Sequence, residues 1–180
     1  LAAAVQEHLG ALAMERAKVE VAVQGPDPAD DVAILLAANP GSPPLPLAKV
    51  ASGGELARAM LALRLVLTAG PPTLVFDEVD AGIGGASALA VGRSLAALGA
   101  EQQVLVVTHL PQVAAFADAH VSVTKESDDA TTVARIAELA GADRVVELTR
   151  MLSGQPDSRK GREHAEELLA SALNERGLSA

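Results

Sequence analysis

Three short stretches of the chain carry side chains whose types and spacing could do chemistry. The first is Ser52-Gly53-Gly54-Glu55, directly before a long apolar stretch of helical composition. Two glycines let backbone N–H groups approach an anion with no Cβ in the way. The positive end of the following helix points at the same place, and the serine hydroxyl adds a donor. An ordinary capped helix after a loop accounts for the same four residues equally well. No phosphate-gripping lysine follows the glycines, and the pattern G-x-x-x-x-G-K-[ST] does not occur in the sequence.

The second stretch is "TLVFDEVDAG", four apolar-type residues and then Asp77 and Glu78. An apolar strand ending in two carboxylates brings them to the C-terminal edge of a sheet, where α/β ligands bind. Adjacent strand residues point to opposite faces, so the two acids are expected to do different jobs. Asp77 suits Mg²⁺, held in part through water, because magnesium favours hard oxygen ligands and keeps much of its hydration. Glu78 suits orienting or deprotonating an attacking water. A solvated acidic turn is the plainer reading of the same pair. The third stretch, "VLVVTHLPQ", sets His109 after another continuous apolar strand. An imidazole at that edge could contact a γ-phosphate or position the same water, although a histidine after a strand is commonly structural.

These residues need strands and helices to place them. Residues 2–18 have helical composition and read as the end of a longer helix, and "VEVAV" (19–23) alternates as a strand does. "VAILLAAN" is a second strand candidate, ended by the proline-rich "PGSPPLP". The helix after Ser52 stops at Gly70, Pro71 and Pro72. "TLVF" (73–76) and "QVLVVTH" (103–109) read as parallel strands covered on both faces, with a helix over 85–98 between them. Pro111 opens a short helix through about Ala117. "HVSVTKE" and "TTVARIAEL" form a hairpin around Ser127, Asp128 and Asp129. Helices close the chain over about 143–152 and 158–176, the latter capped by Asp157 or Ser158. Strands alternating with helices predict an α/β domain with a mostly parallel sheet flanked by helices.

Composition bounds the function. The 180 residues suffice for one domain or most of one, and 49% are hydrophobic. Two Phe and no Trp or Tyr leave few stacking platforms for single-stranded nucleic acid. Cysteine is absent, which removes disulfides, thiolate metal sites and cysteine nucleophiles. No apolar run reaches the roughly 18 residues of a membrane span. The net charge of −9 argues against a general basic surface for nucleic acid. Arg159, Lys160 and Arg162 form the one basic cluster and read as a solvated face. The first residue, Leu1, suggests a chain that begins inside a larger polypeptide.

Taken in order, SGGE, apolar-DE and apolar-TH resemble the second half of an ABC-type ATPase domain: signature motif, Walker B with its glutamate, D-loop and switch histidine. More narrowly, "LAANPGSPPLPLAKVASGGELAR", "LVFDEVDAGIGG" and "VTHLPQVAAFADAH" resemble the RecN family of SMC-like bacterial DNA repair ATPases, from about Met14 to the C-terminus. Transporters of the superfamily usually carry LSGGQ and a different D-loop; here Ala51 stands in the leucine's place and Val79-Asp80-Ala81-Gly82 follows the acids.

The resemblance implies the C-terminal lobe of a P-loop ATPase head over residues 18–180, with residues 1–17 the end of a coiled-coil helix entering it. It implies that two heads sandwich two ATP molecules with Mg²⁺. Ser52, Gly53, Gly54 and Glu55 would contact the γ-phosphate held by the opposite head. Asp77 would hold the metal, Glu78 and His109 would serve hydrolysis, and Asp80 of the D-loop would communicate across the interface. The implied partners are the N-terminal lobe of the same protein, a second copy, double-stranded DNA ends and a recombinase, with no membrane. The implied location is the bacterial cytoplasm, at the nucleoid. The fragment, lacking the phosphate loop, is expected to be inactive alone. A transporter's nucleotide-binding subunit and a non-catalytic interaction fragment remain the alternatives.

Overall fold

A computed structural model describes residues 1–27, 31–49, 52–67, 70–127 and 131–177. Ala51 and the tip of the expected hairpin at 128–130 lie outside the described residues. The chain divides into two compact units, Leu1–Thr108 and His109–Ala180.

The first unit opens with helix α1 (Ala2–Ala11), which buries Val5 and Leu9 and contacts helix α2 (Gly53–Val66). The helix expected to reach residue 18 ends seven residues earlier. Ala13 takes a left-handed φ of 61°, and Leu12, Met14 and Ala17 bury themselves in the turn that follows. The Gln6 side chain ties the returning segment to α1: its amide nitrogen donates to the Ala17 carbonyl, and its Oε1 accepts from the Val19 N–H at 3.1 Å. Strand β1 (Lys18–Gln24) then pairs antiparallel with β2 (Asp31–Ala37). The two-residue β3 (Leu45–Pro46) pairs with the other side of β2. At that edge Pro46 breaks no ladder, because the N–H it lacks is not needed there.

Strands β4 (Thr73–Phe76) and β5 (Gln103–Val106) pair in parallel, with helix α3 (Gly85–Gly99) as their crossover. Among the described residues parallel pairing is confined to these two strands, and the other two sheets are antiparallel. A parallel neighbour needs a crossover of a dozen or more residues, whereas β1–β2 and the hairpin of the second unit are joined by short loops. Of the covering on both faces expected from the apolar runs, the described residues supply one face. β4 buries Leu74 and Phe76 but leaves Val75 68% exposed, and Val107 just past β5 is 63% exposed. α3 lies against β5, and among the described residues the side carrying Val75, Leu105 and Val107 is exposed.

The second unit begins with His109 and the short helix α4 (Pro111–Ala114), with proline at its start as expected. Strands β6 (His120–Ser127) and β7 (Thr132–Leu139) form the predicted hairpin, in register from His120↔Leu139 to Ser127↔Thr132. Helices α5 (Gly141–Ser153) and α6 (Arg159–Glu175) pack together around Leu148 and Ala165, joined by Ala114 of α4. α5 ends at Gly154, whose φ of 72° is the left-handed geometry that glycine accepts without strain. Of the two caps considered for α6, Ser158 serves: its hydroxyl accepts from the Gly161 N–H at 3.2 Å. Among the described residues no helix is long and apolar enough to cross a membrane.

Candidate functional site

The start of α2 has the backbone of a capped helix. Ser52 is extended (φ −106°, ψ 124°), and its hydroxyl accepts from the Glu55 N–H at a long 3.4 Å. An ordinary helix could begin this way. What distinguishes this start is what lies against it. A Cβ built on Gly53 would stand 2.4 Å from the Glu78 Oε2, and one on Gly54 would meet the Ala81 Cβ at 2.9 Å and the Ala81 carbonyl at 3.0 Å. Gly54 is therefore required by close approach to backbone, whereas at Gly53 the neighbour is the end of the exposed Glu78 side chain, and what approaches both is the turn after β4. Two of the stretches singled out in the sequence are in contact.

In that turn the geometry differs from the expectation for Asp77 and Glu78. β4 ends at Phe76, so the two acids lie beyond the strand and the alternation of strand faces does not separate them. Instead the Glu78 N–H donates to the Asp77 Oδ1 at 2.9 Å, and Glu78 adopts a left-handed φ of 58°. That conformation costs a non-glycine residue about 1–2 kcal/mol and turns its side chain away from the strand direction. Both carboxylates are exposed. The chain then buries Val79 and Asp80, the latter 2% exposed. The Ala81 N–H closes the turn onto the Glu78 carbonyl at 3.0 Å. Asp80 accepts a short hydrogen bond from the Thr108 hydroxyl.

Arg58 completes the arrangement. One turn along α2 from Gly54, it is 6% exposed and donates from one terminal nitrogen to the carbonyls of Val79 at 3.3 Å and Ala81 at 2.9 Å. Burial lowers its pKa from the ordinary arginine value, while the nearby Glu55 and Asp80 carboxylates raise it. A guanidinium stays charged in proteins, so this is a buried cation between two acids. Neither Arg58 nor Thr108 is among the residues that the sequence singles out. The signal that could have found Arg58 is its spacing: four residues after Gly54, it must share that glycine's helix face.

His109 is exposed and belongs to the second unit, as the residue that follows Thr108. Among the described residues there is no group of three or more His, Asp or Glu able to hold a metal ion by itself. Asp77, with one oxygen engaged by the Glu78 N–H, could offer a hard ligand only alongside ligands from elsewhere. In the basic cluster, Arg159 pairs with Glu163 and Arg162 with Glu166 one turn on, both at the surface. This is the i,i+4 pattern of a solvated helix face.

No protein-family model matches the chain. Curated relatives do. A protein named "DNA repair protein RecN" from Streptomyces coelicolor is 49% identical over 97% of this chain and 34% of its own length. Proteins of the same name from Mycobacterium tuberculosis and Deinococcus radiodurans are 48% and 50% identical over 94% and 88% of this chain, in each case 29% of the relative. The chain thus spans about a third of the length of these relatives. Among solved structures, an Smc head domain with a coiled coil and joint from Pyrococcus yayanosii superposes over 95% of this chain with a TM-score of 0.57 at 22% identity, covering 28% of that chain. An Smc head domain with an extended coiled coil from Pyrococcus furiosus covers 77% of this chain and 34% of its own, with a TM-score of 0.55 at 23% identity. At these identities the structures speak for the fold and the relatives for the lineage. The chain is a RecN-like segment with the α/β fold of a lobe of an SMC-type head.

Proposed function

We propose that the chain is the C-terminal lobe of an ATPase head, that the complete protein hydrolyses ATP between two paired heads, and that it acts in repair of DNA double-strand breaks. The observation that carries the ATPase reading is the contact between the start of α2 and the turn from Glu78 to Ala81. It joins an anion-accepting helix start to a pair of strand-end acids, and no requirement of ordinary capping calls for that. The DNA repair role rests on the likeness to RecN proteins, and the acidic net charge adds nothing to it.

In this reading residues 1–17, with α1 as their helical part, are the end of a coiled-coil helix entering the head, and residues 18–180 are the lobe itself. The open face of β4 and β5, with Val75, Leu105 and Val107 exposed, supports a further lobe of the same protein that covers it. Ser52, Gly53, Gly54 and Glu55 present the α2 start to the γ-phosphate of a nucleotide held by the opposite head. The site fits an anion: a carboxylate oxygen of Glu78 already stands beside Gly53 at the α2 start. Mg²⁺-ATP, when bound, supplies the electrophilic phosphorus and the charge that the metal neutralises. Asp77 holds the metal jointly with oxygens from outside this lobe. Glu78 orients the attacking water and takes its proton, and Asp80 sits in the turn that faces the paired head. His109 is assigned to the same reaction on its motif. The protein is placed in the bacterial cytoplasm, at the nucleoid, with DNA ends, its own second copy and a recombinase as partners.

The test is Glu78→Gln in the full-length protein. ATP binding is expected to persist while hydrolysis slows by roughly 10²–10⁴-fold, the range of general-base assistance. Turnover near the wild-type rate would remove Glu78 from the mechanism. Residues 1–180 alone are expected to show no ATPase activity; robust turnover by that piece would contradict a site shared with another lobe.

A further inference from the structure

We infer that Arg58 is a positioning residue for hydrolysis: it locks the turn that carries Glu78 and Asp80 to the start of α2, so that the glycine cap and the carboxylates move as one body. The inference rests on the ATPase reading above. Arg58 donates to the carbonyls of Val79 and Ala81, the two residues that flank Asp80. The Ala81 N–H in turn bonds the Glu78 carbonyl, so a shift of Ala81 is passed directly to Glu78. Gly54 lies too close to Ala81 to admit even a methyl group, which leaves the turn no alternative seat against α2. The left-handed backbone of Glu78 is a conformation that persists only where the surroundings over-determine it, and Arg58 supplies much of that constraint.

The Arg58 Nε, like that of Arg144, is buried with no hydrogen-bond partner among the described residues, so the case for Arg58 rests on what its terminal nitrogen holds. As a clamp its geometry makes sense: two carbonyls on one side of the loop, and acids at Glu55 and Asp80 that keep it charged. The Thr108 hydroxyl holds Asp80 from the β5 side, so the turn is gripped between α2 and the end of the parallel pair.

The experiment compares full-length wild type, Glu78→Gln, Arg58→Met and Arg58→Lys, measuring kcat and KM for ATP and hydrogen exchange of the amides at 78–83. Arg58→Met is expected to lower kcat by about 10–100-fold, the scale that a misplacement of about 1 Å costs, with KM within about threefold of wild type. Exchange at 78–83 should quicken while the rest of the lobe stays protected. Arg58→Lys, with the charge but not the fork, should fall between Met and wild type. A folded Arg58→Met with wild-type kcat, or faster exchange without any loss of kcat, overturns the inference and leaves the ATPase reading standing. Should Arg58→Met fail to fold, Arg58→Lys decides: a lowered kcat at unchanged KM supports the clamp, and a wild-type kcat overturns it. A wild-type protein that does not hydrolyse ATP, or a fully active Glu78→Gln, strikes the ATPase reading itself.

Discussion

Arg58 in the first unit and Arg144 in the second each aim a guanidinium at backbone carbonyls, and the two differ in what they hold. Arg144 donates to the carbonyls of Ala114, Ala115 and Ala117 at 3.1, 3.1 and 2.7 Å, closing the end of α4. These are the orphan acceptors that every helix C-terminus exposes, and a cation is the favoured partner there. Burial lowers its pKa, Arg176 lowers it further, and Asp118 raises it. Arg176 itself reaches the Phe116 carbonyl and Asp118, so two arginines secure one short segment. Arg58 is more deeply buried, has acids rather than a second cation beside it, and holds a turn with a left-handed glutamate instead of a helix end. The same chemistry holds a helix terminus in one unit and, in the other, a strained turn bearing the carboxylates to which the proposed reading gives the reaction.

The sharpest way to break this comparison is at the glycine cap. Ser52→Arg is expected to abolish ATP-driven pairing of heads while one head still binds nucleotide. Size-exclusion chromatography with a non-hydrolysable ATP analogue reads this, and pairing that survives would detach the α2 start from any role across the interface. Next is Arg144→Met, which takes a donor from three carbonyls, of which Ala114 keeps the Ala117 N–H. It should cost about 1–3 kcal/mol of stability by denaturant titration, the penalty of unsatisfied buried groups, and leave kcat of the folded protein within about twofold. A large loss of kcat there would erase the distinction from Arg58.

Gly161→Ala tests packing with no charge involved. A Cβ at Gly161 would stand 3.0 Å from the Ser153 hydroxyl and from the Thr149 methyl. Overpacking of about 1–3 kcal/mol outweighs the gain of about 1 kcal/mol in helix propensity, so net destabilisation of about 1 kcal/mol is expected in the melting curve. Acid should weaken the second unit as well. Burial, and then Arg144, lower the His120 pKa against the opposing pull of Glu147, and the His120 Nδ1 is buried with no partner among the described residues. The unfolded chain then binds the proton more readily than the folded one. The contribution of neutral His120 is complete above about pH 6.5 and is lost as pH falls below that value. Glu147, lowered mainly by its hydrogen bond to Arg150, adds a loss in the same direction at more acid pH. A melting temperature flat between pH 8 and pH 5, with the His120 resonances still titrating, would show that burial does not act as described. The smallest effect belongs to Arg159→Ala and Arg162→Ala. Each removes an exposed i,i+4 pair and should shift stability by less than about 0.5 kcal/mol.

Much of this was legible in residue order. The apolar runs "TLVF" and "QVLV" are the parallel pair, Pro111 opens a helix, Ser158 caps one, and the hairpin falls where two alternating stretches meet. Each depends on a preference of a few neighbouring residues, and such preferences act locally. The helix expected through residue 18 failed for the complementary reason. Residues 12–17 have helical composition, but burial of Leu12, Met14 and Ala17, with Gln6 bridging back to Ala17 and Val19, outweighed propensity.

At the site the division is equally physical. Sequence alone determined which groups are present: a glycine pair before a helix, two acids after an apolar strand, a histidine after another. It also carried the likeness to RecN, because a linear pattern survives without coordinates. Only the tertiary structure decided that Gly53 and Gly54 are pressed against Glu78 and Ala81, that the acids leave the strand for a left-handed turn, and that Arg58 rather than any motif residue joins the two. The contacts among those facts join segments more than twenty residues apart, and no local preference of either segment encodes the distance between them.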